Sequence, residues 1–176
     1  GQPWLGVLAA VGAGMAISVI HAFASVSLQA NQVVSGLALT MLGLGLSGML
    51  GKPYVGRPLS IKMEDVAIPY LSDIPYIGKA LFHQSPFFYL AVVLALVCWF
   101  FLERTRLGIQ VRSTGENPKA TETQGVNVYV LRYWSVIIGG AFSALAGAHL
   151  SISYSKSWVE GMTAGRGWIA IALTIF

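Results

Sequence analysis

The chain has 176 residues, of which 55% are hydrophobic and 10% are charged, and its net charge is +4. So few charges rarely suffice for the surface of a soluble domain, and the composition predicts an all-α, polytopic transmembrane bundle. The eleven basic residues are spread over loops, which argues against a nucleic acid partner and favours contact with membrane lipid. The single cysteine, Cys98, excludes an intrachain disulfide and a cysteine-based metal site, and its apolar surroundings predict a packing role.

Two spans are predicted in the first part of the chain, because residues 1–51 contain no Asp, Glu, Lys or Arg. At ~1.5 Å per residue, one helix of that length would far exceed a bilayer core ~30 Å thick. The most polar interruption is SLQAN at 27–31. We therefore divide the segment into spans at 4–25 and 33–50.

A long connection and two further spans follow. Residues 52–85 carry four prolines and mixed charges without helical periodicity, which predicts an exposed loop. Residues 86–102 and 129–152 are apolar and long enough to cross the membrane. From 163 the chain is apolar again, but its last 14 residues would form about 21 Å of helix, which is too short to cross. We therefore expect a fragment of a larger permease-like protein, with a truncated span from 163.

A compact polar segment lies between the third and fourth spans, at 104–126. Within it Asn117 can cap a helix, and Pro118 suits the first helical position. Gly125 can end the same helix in a left-handed conformation. The pattern predicts a helix of about two turns that serves as a docking surface for a partner.

The balance of basic residues predicts the orientation of the spans. The loop at 52–85 has four basic and three acidic residues, whereas 103–132 has five basic and three acidic residues. Basic residues accumulate on the cytoplasmic side of a membrane. The loop at 103–128 is therefore predicted to be cytoplasmic and the loop at 52–85 extracytoplasmic.

The spans carry few chemically active groups. No Asp, Glu, Lys or Arg lies near the middle of any predicted span, which argues against the carboxylate expected in many ion-driven carriers. His21 is the one ionisable group well inside an apolar run. It is either a functional residue or a histidine satisfied by a neighbouring helix or near a membrane face, and we favour the second reading.

Hydrogen-bonding residues near the start of the second span suggest a pathway for a neutral polar solute. The alternative is equally good: Asn31 caps the helix, and Ser35 bonds to a carbonyl of its own helix. Only the rotation of the helix decides between them. The candidate pathway residues in this span are Asn31, Ser35, Gly36 and Thr40.

Small residues recur at helical spacing in the first and fourth spans. Such rows let neighbouring helices approach closely, and we favour close packing over a hinge or gate built from glycines. The rows are Gly6, Ala10, Gly14 and Ser18 in the first span and, in the fourth, Gly139, Ser143 and Gly147 beside Gly140, Ala144 and Ala148.

Motifs of soluble enzymes are absent from the sequence. There is no GxxxxGK[ST] phosphate loop, no HExxH and no paired-cysteine metal pattern, so no catalytic residue, metal site or bound cofactor is expected in this chain. The glycines of GMTAGRGW, at 161–168, do not follow a predicted strand. They favour the start of a membrane helix over a dinucleotide site.

Several blocks of the sequence, in order, resemble ABC importer permeases of the branched-chain amino acid, sugar and nucleoside family. The segment TRLGIQVRSTGENPKATETQGVNVYVLRYWSVIIGGAFSALAGAHLS, at 105–151, is similar to the signature region of that family. ANQVVSGLAL near residue 30, SDIPYIGKALFHQSPFFYLA from Ser72 and GMTAGRGWIAIAL from Gly161 are similar to other blocks, particularly in the nucleoside and simple-sugar branch.

The resemblance implies a multi-pass permease subunit of the cell membrane. Its implied partners are a second permease subunit, an extracytoplasmic solute-binding protein, and two cytoplasmic ATP-binding subunits, which bind and hydrolyse the ATP. The polar segment then corresponds to the coupling helix. Where the family usually has a second small residue after Ala120, this chain has Thr121. The residues that match the family pattern for seating in the ATPase are Gly115, Glu116, Asn117, Pro118, Ala120 and Gly125.

The implied mechanism is alternating access, in which closure of the ATP-binding subunits moves the coupling helix and rearranges the spans. Gly165 and Gly167 are candidates for a gate near the pathway. The resemblance favours a nucleoside or a simple sugar as the solute. The alternatives are an ion-coupled secondary transporter or channel, and a membrane scaffold without a transport role.

Overall fold

In the described part of the chain, four helices of the computed structural model are long and apolar enough to cross a membrane. The structure describes residues 2–57, 66–67 and 83–175. The four helices are α1 (Pro3–Ala22), α2 (Gln32–Gly51), α3 (Pro86–Arg104) and α6 (Val128–His149). This arrangement confirms the predicted all-α, polytopic bundle, while the orientation in the bilayer stays a prediction.

Shorter elements connect and extend these helices. A π-helical turn, Phe23–Ser27, continues α1, and another, Leu150–Tyr154, continues α6. Helices α4 (Arg106–Glu116) and α5 (Pro118–Thr123) fill most of the polar segment, and α7 (Arg166–Ile175) is the short apolar helix near the end. A 3-10 turn at Lys52–Tyr54 follows α2.

The predicted loop at 52–85 lies largely outside the described residues, including three of its four prolines. In its described parts, two short strands pair antiparallel, with Val66 opposite Gln84. These strands are β1 (Val66–Ala67) and β2 (His83–Gln84).

Helices α1 and α6 make the most extensive contact among the described elements, and they run antiparallel. A Cβ atom built on Gly14 would collide with Ala144 and would lie 2.7 Å from the Gly140 carbonyl oxygen. Ser18 is buried at the same crossing, where its hydroxyl donates to the Gly14 carbonyl over 2.8 Å. The close packing predicted from the small residues is therefore confirmed here, because only small residues permit this approach.

One end of the bundle gathers the start of α1, the start of α3 and the end of α6. The ring of Phe87 lies 6.4 Å from the ring of Trp4 and 5.2 Å from the ring of His149. The end of α2 is also here, since Gly51 lies against the indole of Trp158. The chain reverses direction at each span, so α4, α5 and the start of α6 lie at the opposite end.

The small apolar core supports this arrangement. Val7, Phe87, Ala148 and Ile152 form its buried cluster, which joins α1, α3 and α6 near the first end of the bundle. Farther along, α3 and α6 flank an apolar cavity of about 430 Å³, and Cys98 lies in its wall. Many other apolar side chains face outward, as expected of helices whose solvent is lipid.

Candidate functional site

Helix α5 has the start and stop signals that the sequence predicts. The Asn117 side-chain oxygen accepts a hydrogen bond from the Ala120 N–H over 3.1 Å, and Pro118 occupies the first helical position. After the helix, Gly125 takes a φ of +80°, and its N–H donates to the Glu122 carbonyl over 2.9 Å. A glycine suits this left-handed position because a Cβ atom would be strained there.

A second helix, α4, precedes α5 and was not predicted. Thr105 caps it by accepting from the Gly108 N–H over 3.0 Å. Asn117 ends this helix as well, since its N–H donates to the Ser113 carbonyl over 2.9 Å. The two helices thus meet at one residue, and we call the pair the α4–α5 corner. The cap threonine was the sequence signal that could have revealed α4.

The corner presents most of the predicted coupling residues on its surface. Thr121, the residue that departs from the family pattern, is only 2% exposed, and its hydroxyl donates to the Asn117 carbonyl over 3.0 Å. The departure is therefore on the inner side of α5. The six predicted coupling residues lie at the surface, with Pro118 half-buried and with Gly115, Glu116, Asn117, Ala120 and Gly125 exposed.

An ion pair joins the corner to the end of α3. Arg112 donates to Glu103 over 2.5 Å, and both side chains are about half exposed. Exposed pairs of this kind contribute roughly 0–1 kcal/mol, so the pair adds little to the stability of the fold.

A cleft of about 930 Å³ opens between α1, α2, α6 and the segment after α6. The described residues that line it include no Asp, Glu, Lys or Arg. Its chemistry therefore comes from hydroxyl groups, one imidazole and one indole. The polar lining consists of Ser18, His21, Thr40, Ser47, Ser143, Ser151, Trp158 and Thr163.

The predicted pathway residues of α2 divide into different roles. Asn31 caps the helix by accepting from the N–H groups of Val33 and Val34, over 3.0 and 3.3 Å. Thr40 lines the cleft, although its hydroxyl donates to the carbonyl of Gly36 over 2.9 Å. Asn31 and Gly36 do not line the cleft.

Ser35 and His21 contact each other, which neither reading of Ser35 anticipated. Ser35 Oγ lies 3.0 Å from His21 Nδ1, so the serine bonds to α1 rather than to a carbonyl of its own helix. This contact agrees with the favoured reading of His21 as a histidine satisfied by a neighbouring helix. His21 also lines the cleft.

The predicted gate glycines flank the start of α7. Gly165 precedes the helix with a φ of +74°, and Gly167 lies in its first turn. Neither lines the cleft, whereas the neighbouring Gly161 and Thr163 do. Their assignment to a gate stays a prediction.

Sequence reasoning missed the serines of the cleft wall. Ser47 and Ser143 line the cleft from α2 and α6, and neither hydroxyl has a hydrogen-bond partner within the described part of the chain. Ser143 belongs to one of the small-residue rows that we assigned to packing. The row beside it, with Gly140 and Ala144, makes the contact with α1 instead.

Comparison with known proteins identifies the family. The family model described as "Branched-chain amino acid transport system / permease component" matches residues 1–176. The putative glucose ABC transporter permease TsgC13 of Haloferax volcanii is 44% identical over 180 residues, which cover all of this chain and 54% of the relative. The guanosine ABC transporter permease NupQ of Bacillus subtilis is 40% identical, with 99% and 56% covered.

A third relative agrees with these two. The nucleoside ABC transporter permease NupC of Lactococcus lactis is 35% identical, and the match covers 99% of this chain and 56% of the relative. The chain thus spans about half the length of the curated relatives it matches. No solved structure matches it. The matches confirm the resemblance seen in the sequence, and the chain belongs to the branched-chain amino acid transport system permease family, as a multi-pass protein of the cell membrane.

Proposed function

We propose that this chain is part of the permease subunit of an ABC importer, which moves a small polar solute across the cell membrane. The observation that carries the proposal is the α4–α5 corner, a capped and exposed structure at one end of the bundle. It leads within four residues into α6, which lines the cleft. The family match over the whole chain supports the same function.

The family match supports the proposed partners. The corner docks into a cytoplasmic ATP-binding subunit, which binds and hydrolyses ATP. A second permease subunit completes the pathway, and an extracytoplasmic solute-binding protein delivers the solute to the other end of the bundle. The corner is then cytoplasmic, in keeping with the excess of basic residues at 103–132.

The cleft favours a neutral solute that carries several hydroxyl groups. A charged solute would leave its charge unpaired in this lining, which costs several kcal/mol in a medium of low polarity. Serine and threonine hydroxyls both donate and accept, so they suit the hydroxyl groups of a sugar or a ribose. The relatives named for glucose, guanosine and nucleosides support a simple sugar or a nucleoside.

Transport proceeds by alternating access. Closure of the ATP-binding subunits moves the α4–α5 corner, and the corner moves the start of α6 through the four-residue connection between them. Since α6 packs closely on α1 and lines the cleft, its displacement changes the shape of the cleft.

Purification of the full-length protein tests the proposal. We expect an ATP-binding subunit to copurify at a fixed ratio, and solute uptake by reconstituted vesicles to require both that subunit and ATP. Uptake that persists after deletion of the subunit, but stops when ion gradients are collapsed, would show an ion-coupled carrier. A stable protein without uptake under either condition would show a scaffold.

The solute itself is identified through the solute-binding protein. Candidate sugars and nucleosides are titrated against the purified binding protein, and the best ligand is then used for uptake by the complete complex. Binding of neutral, hydroxyl-bearing ligands is expected. Exclusive binding of charged amino acids would contradict the neutral-solute proposal.

A further inference from the structure

Three hydroxyl groups meet between α1 and α6 at the end of the bundle that carries the α4–α5 corner. The hydroxyls of Tyr129 and Tyr133 both contact the hydroxyl of Ser27. The two tyrosine rings lie side by side, with centroids 5.1 Å apart. Because each hydroxyl can donate and accept, one serine can bond to both phenols at once. We call these three residues the hydroxyl clamp.

On one side, the clamp is close in sequence to the α4–α5 corner. Tyr129 is the second residue of α6, and it lies four residues after Gly125, which follows α5. The start of α6 is itself capped, since Asn127 accepts from the Val130 N–H over 3.1 Å. A displacement of the corner therefore reaches both tyrosines through a short stretch of backbone that ends in a capped helix.

On the other side, the clamp holds an irregular end of α1. Ser27 closes the π-helical turn, in which the Leu28 N–H donates to the Phe23 carbonyl over 3.1 Å. Such wide turns are rare and often occur at functional positions. The end of α1 therefore departs from regular α-helical geometry at the residue that the clamp holds.

The same end of α1 is joined to α2. His21 Nδ1 lies 3.0 Å from Ser35 Oγ, and the Ser25 hydroxyl donates to the His21 carbonyl over 2.7 Å. Helix α2 in turn lines the cleft through Thr40 and Ser47. Polar contacts therefore run from the start of α6, through the end of α1, to a wall of the cleft.

We propose that the hydroxyl clamp transmits movement of the α4–α5 corner to α1 and α2, so that ATP hydrolysis is converted into opening of the cleft. This inference rests on the proposed function as an ABC permease. The clamp residues are positioning residues that act through the helices and need not touch the solute. Hydrogen bonds between membrane helices can bias the equilibrium between two arrangements that differ little in free energy.

The clamp is separate from the contact that holds α1 and α6 together. That contact lies at Gly14, Ser18 and Gly140, nearer the middle of the helices. Removing the phenol hydroxyls would leave this crossing and both aromatic rings in place. The fold and the coupling can therefore be tested independently.

The test uses the full-length permease, assembled with its ATP-binding subunit and its binding protein in vesicles. The central variant combines Tyr129→Phe and Tyr133→Phe, and a second variant is Ser27→Ala. The matched control is Tyr154→Phe, which removes an exposed phenol hydroxyl at the opposite end of the same helix. The ring of Tyr154, over which Arg166 lies at 4.7 Å, is retained in the control.

The measured quantity is the coupling ratio, the number of solute molecules taken up per ATP hydrolysed. We expect the coupling ratio to fall at least about fivefold in the double tyrosine variant and in Ser27→Ala. A change of about fivefold is the lower end of typical allosteric couplings. Thermal stability and copurification of the ATP-binding subunit should stay unchanged. Ser27→Thr, which keeps a hydroxyl, should retain most of the coupling.

Three outcomes would overturn the inference. One is an unchanged coupling ratio in both clamp variants; another is an equal fall in Tyr154→Phe. The third is a fall that is matched by lost thermal stability and lost assembly, since this would assign the clamp to folding alone. These outcomes are distinct from failure of the proposed function, in which the wild-type complex itself would show no uptake that depends on ATP.

Discussion

At the scale of single residues, neighbouring glycines in α6 have opposite surroundings. A Cβ atom on Gly140 would collide with the Ser18 hydroxyl and would lie 2.9 Å from the Gly14 carbonyl oxygen. A Cβ atom on Gly139 would meet nothing within 4 Å. The two positions look alike in the sequence, and only the packing of α1 against α6 distinguishes them.

Replacing Gly140 should therefore destabilise the bundle, whereas the same change at Gly139 should not. For Gly140→Ala we expect a loss of about 1–3 kcal/mol, because a methyl group forced into a packed contact displaces its neighbours. Thermal unfolding in detergent measures the difference, with Gly139→Ala as the control. Equal stability of the two variants would contradict the close crossing at Gly14.

Ser143 offers a residue-scale test of the cleft. Its hydroxyl lines the cleft without a partner in the described structure, so it is available to a passing solute. Ser143→Ala should raise the KM for uptake by roughly two- to tenfold, the equivalent of one hydrogen bond worth about 0.5–1.5 kcal/mol.

The control for that test is Ser135→Ala in the same helix. The Ser135 hydroxyl donates to the Leu131 carbonyl over 2.9 Å, and the residue does not line the cleft. Its loss should leave the KM unchanged. If both variants behaved alike, the cleft would not be the route of the solute.

At the scale of elements, the sequence predicted a helix correctly where its ends depend only on neighbouring residues. Asn117, Pro118 and Gly125 predicted α5, because a cap, a first-turn proline and a left-handed glycine depend only on neighbouring residues. Helix α4 was missed, although Thr105 marks its start. Its low overall hydrophobicity gave no span signal, and the polar segment was read as a single short helix.

Contacts between different helices could not be predicted from the sequence. Which face of α2 meets the cleft depends on the rotation of the helix, so Ser47 was missed while Asn31 proved to be a cap. The contact of His21 with Ser35 joins two helices, and no spacing rule describes it. Patterns within one helix identify small or polar faces, but the neighbour that each face meets is a property of the assembled bundle.

The cap of α5 gives an element-scale prediction. Asn117→Ala removes the bond to the Ala120 N–H, which should destabilise the helix by about 1 kcal/mol. We expect stimulation of the ATPase by solute to fall roughly fivefold, while the permease remains folded. Asn117→Ser keeps a capping oxygen and should restore the stimulation. A further variant replaces both Asn117 and Pro118 by alanine. If its ATPase stimulation were unchanged, the coupling role would be contradicted.

At the scale of the whole molecule, the directions of the helices determine at which end of the bundle each connection lies. Arg57 lies beyond the end of α2, and Glu122 lies in α5 at the other end. The basic residues at 103–132 predict that the second end is cytoplasmic. The predicted orientation of the whole bundle thus rests on a difference of one basic residue between the two loops, and site-specific labelling tests it.

Single cysteines measure this orientation in intact cells. In a Cys98→Ala background, a membrane-impermeant maleimide should label Arg57→Cys from outside. It should label Glu122→Cys only after the cells are permeabilised. The background protein without cysteine is the control for nonspecific labelling. Outside labelling of Glu122→Cys would place the α4–α5 corner on the wrong side for an ATP-binding subunit.

The contact between Gly51 and Trp158 has a consequence for optical spectroscopy. The indole lies against the end of α2, where no larger residue would fit, and its ring also forms part of the cleft wall. The emission of an indole depends on the polarity around its ring. Trp158 is therefore an intrinsic fluorophore in the cleft wall. In a variant whose other four tryptophans are replaced by phenylalanine, its emission would follow changes in the cleft without an attached dye.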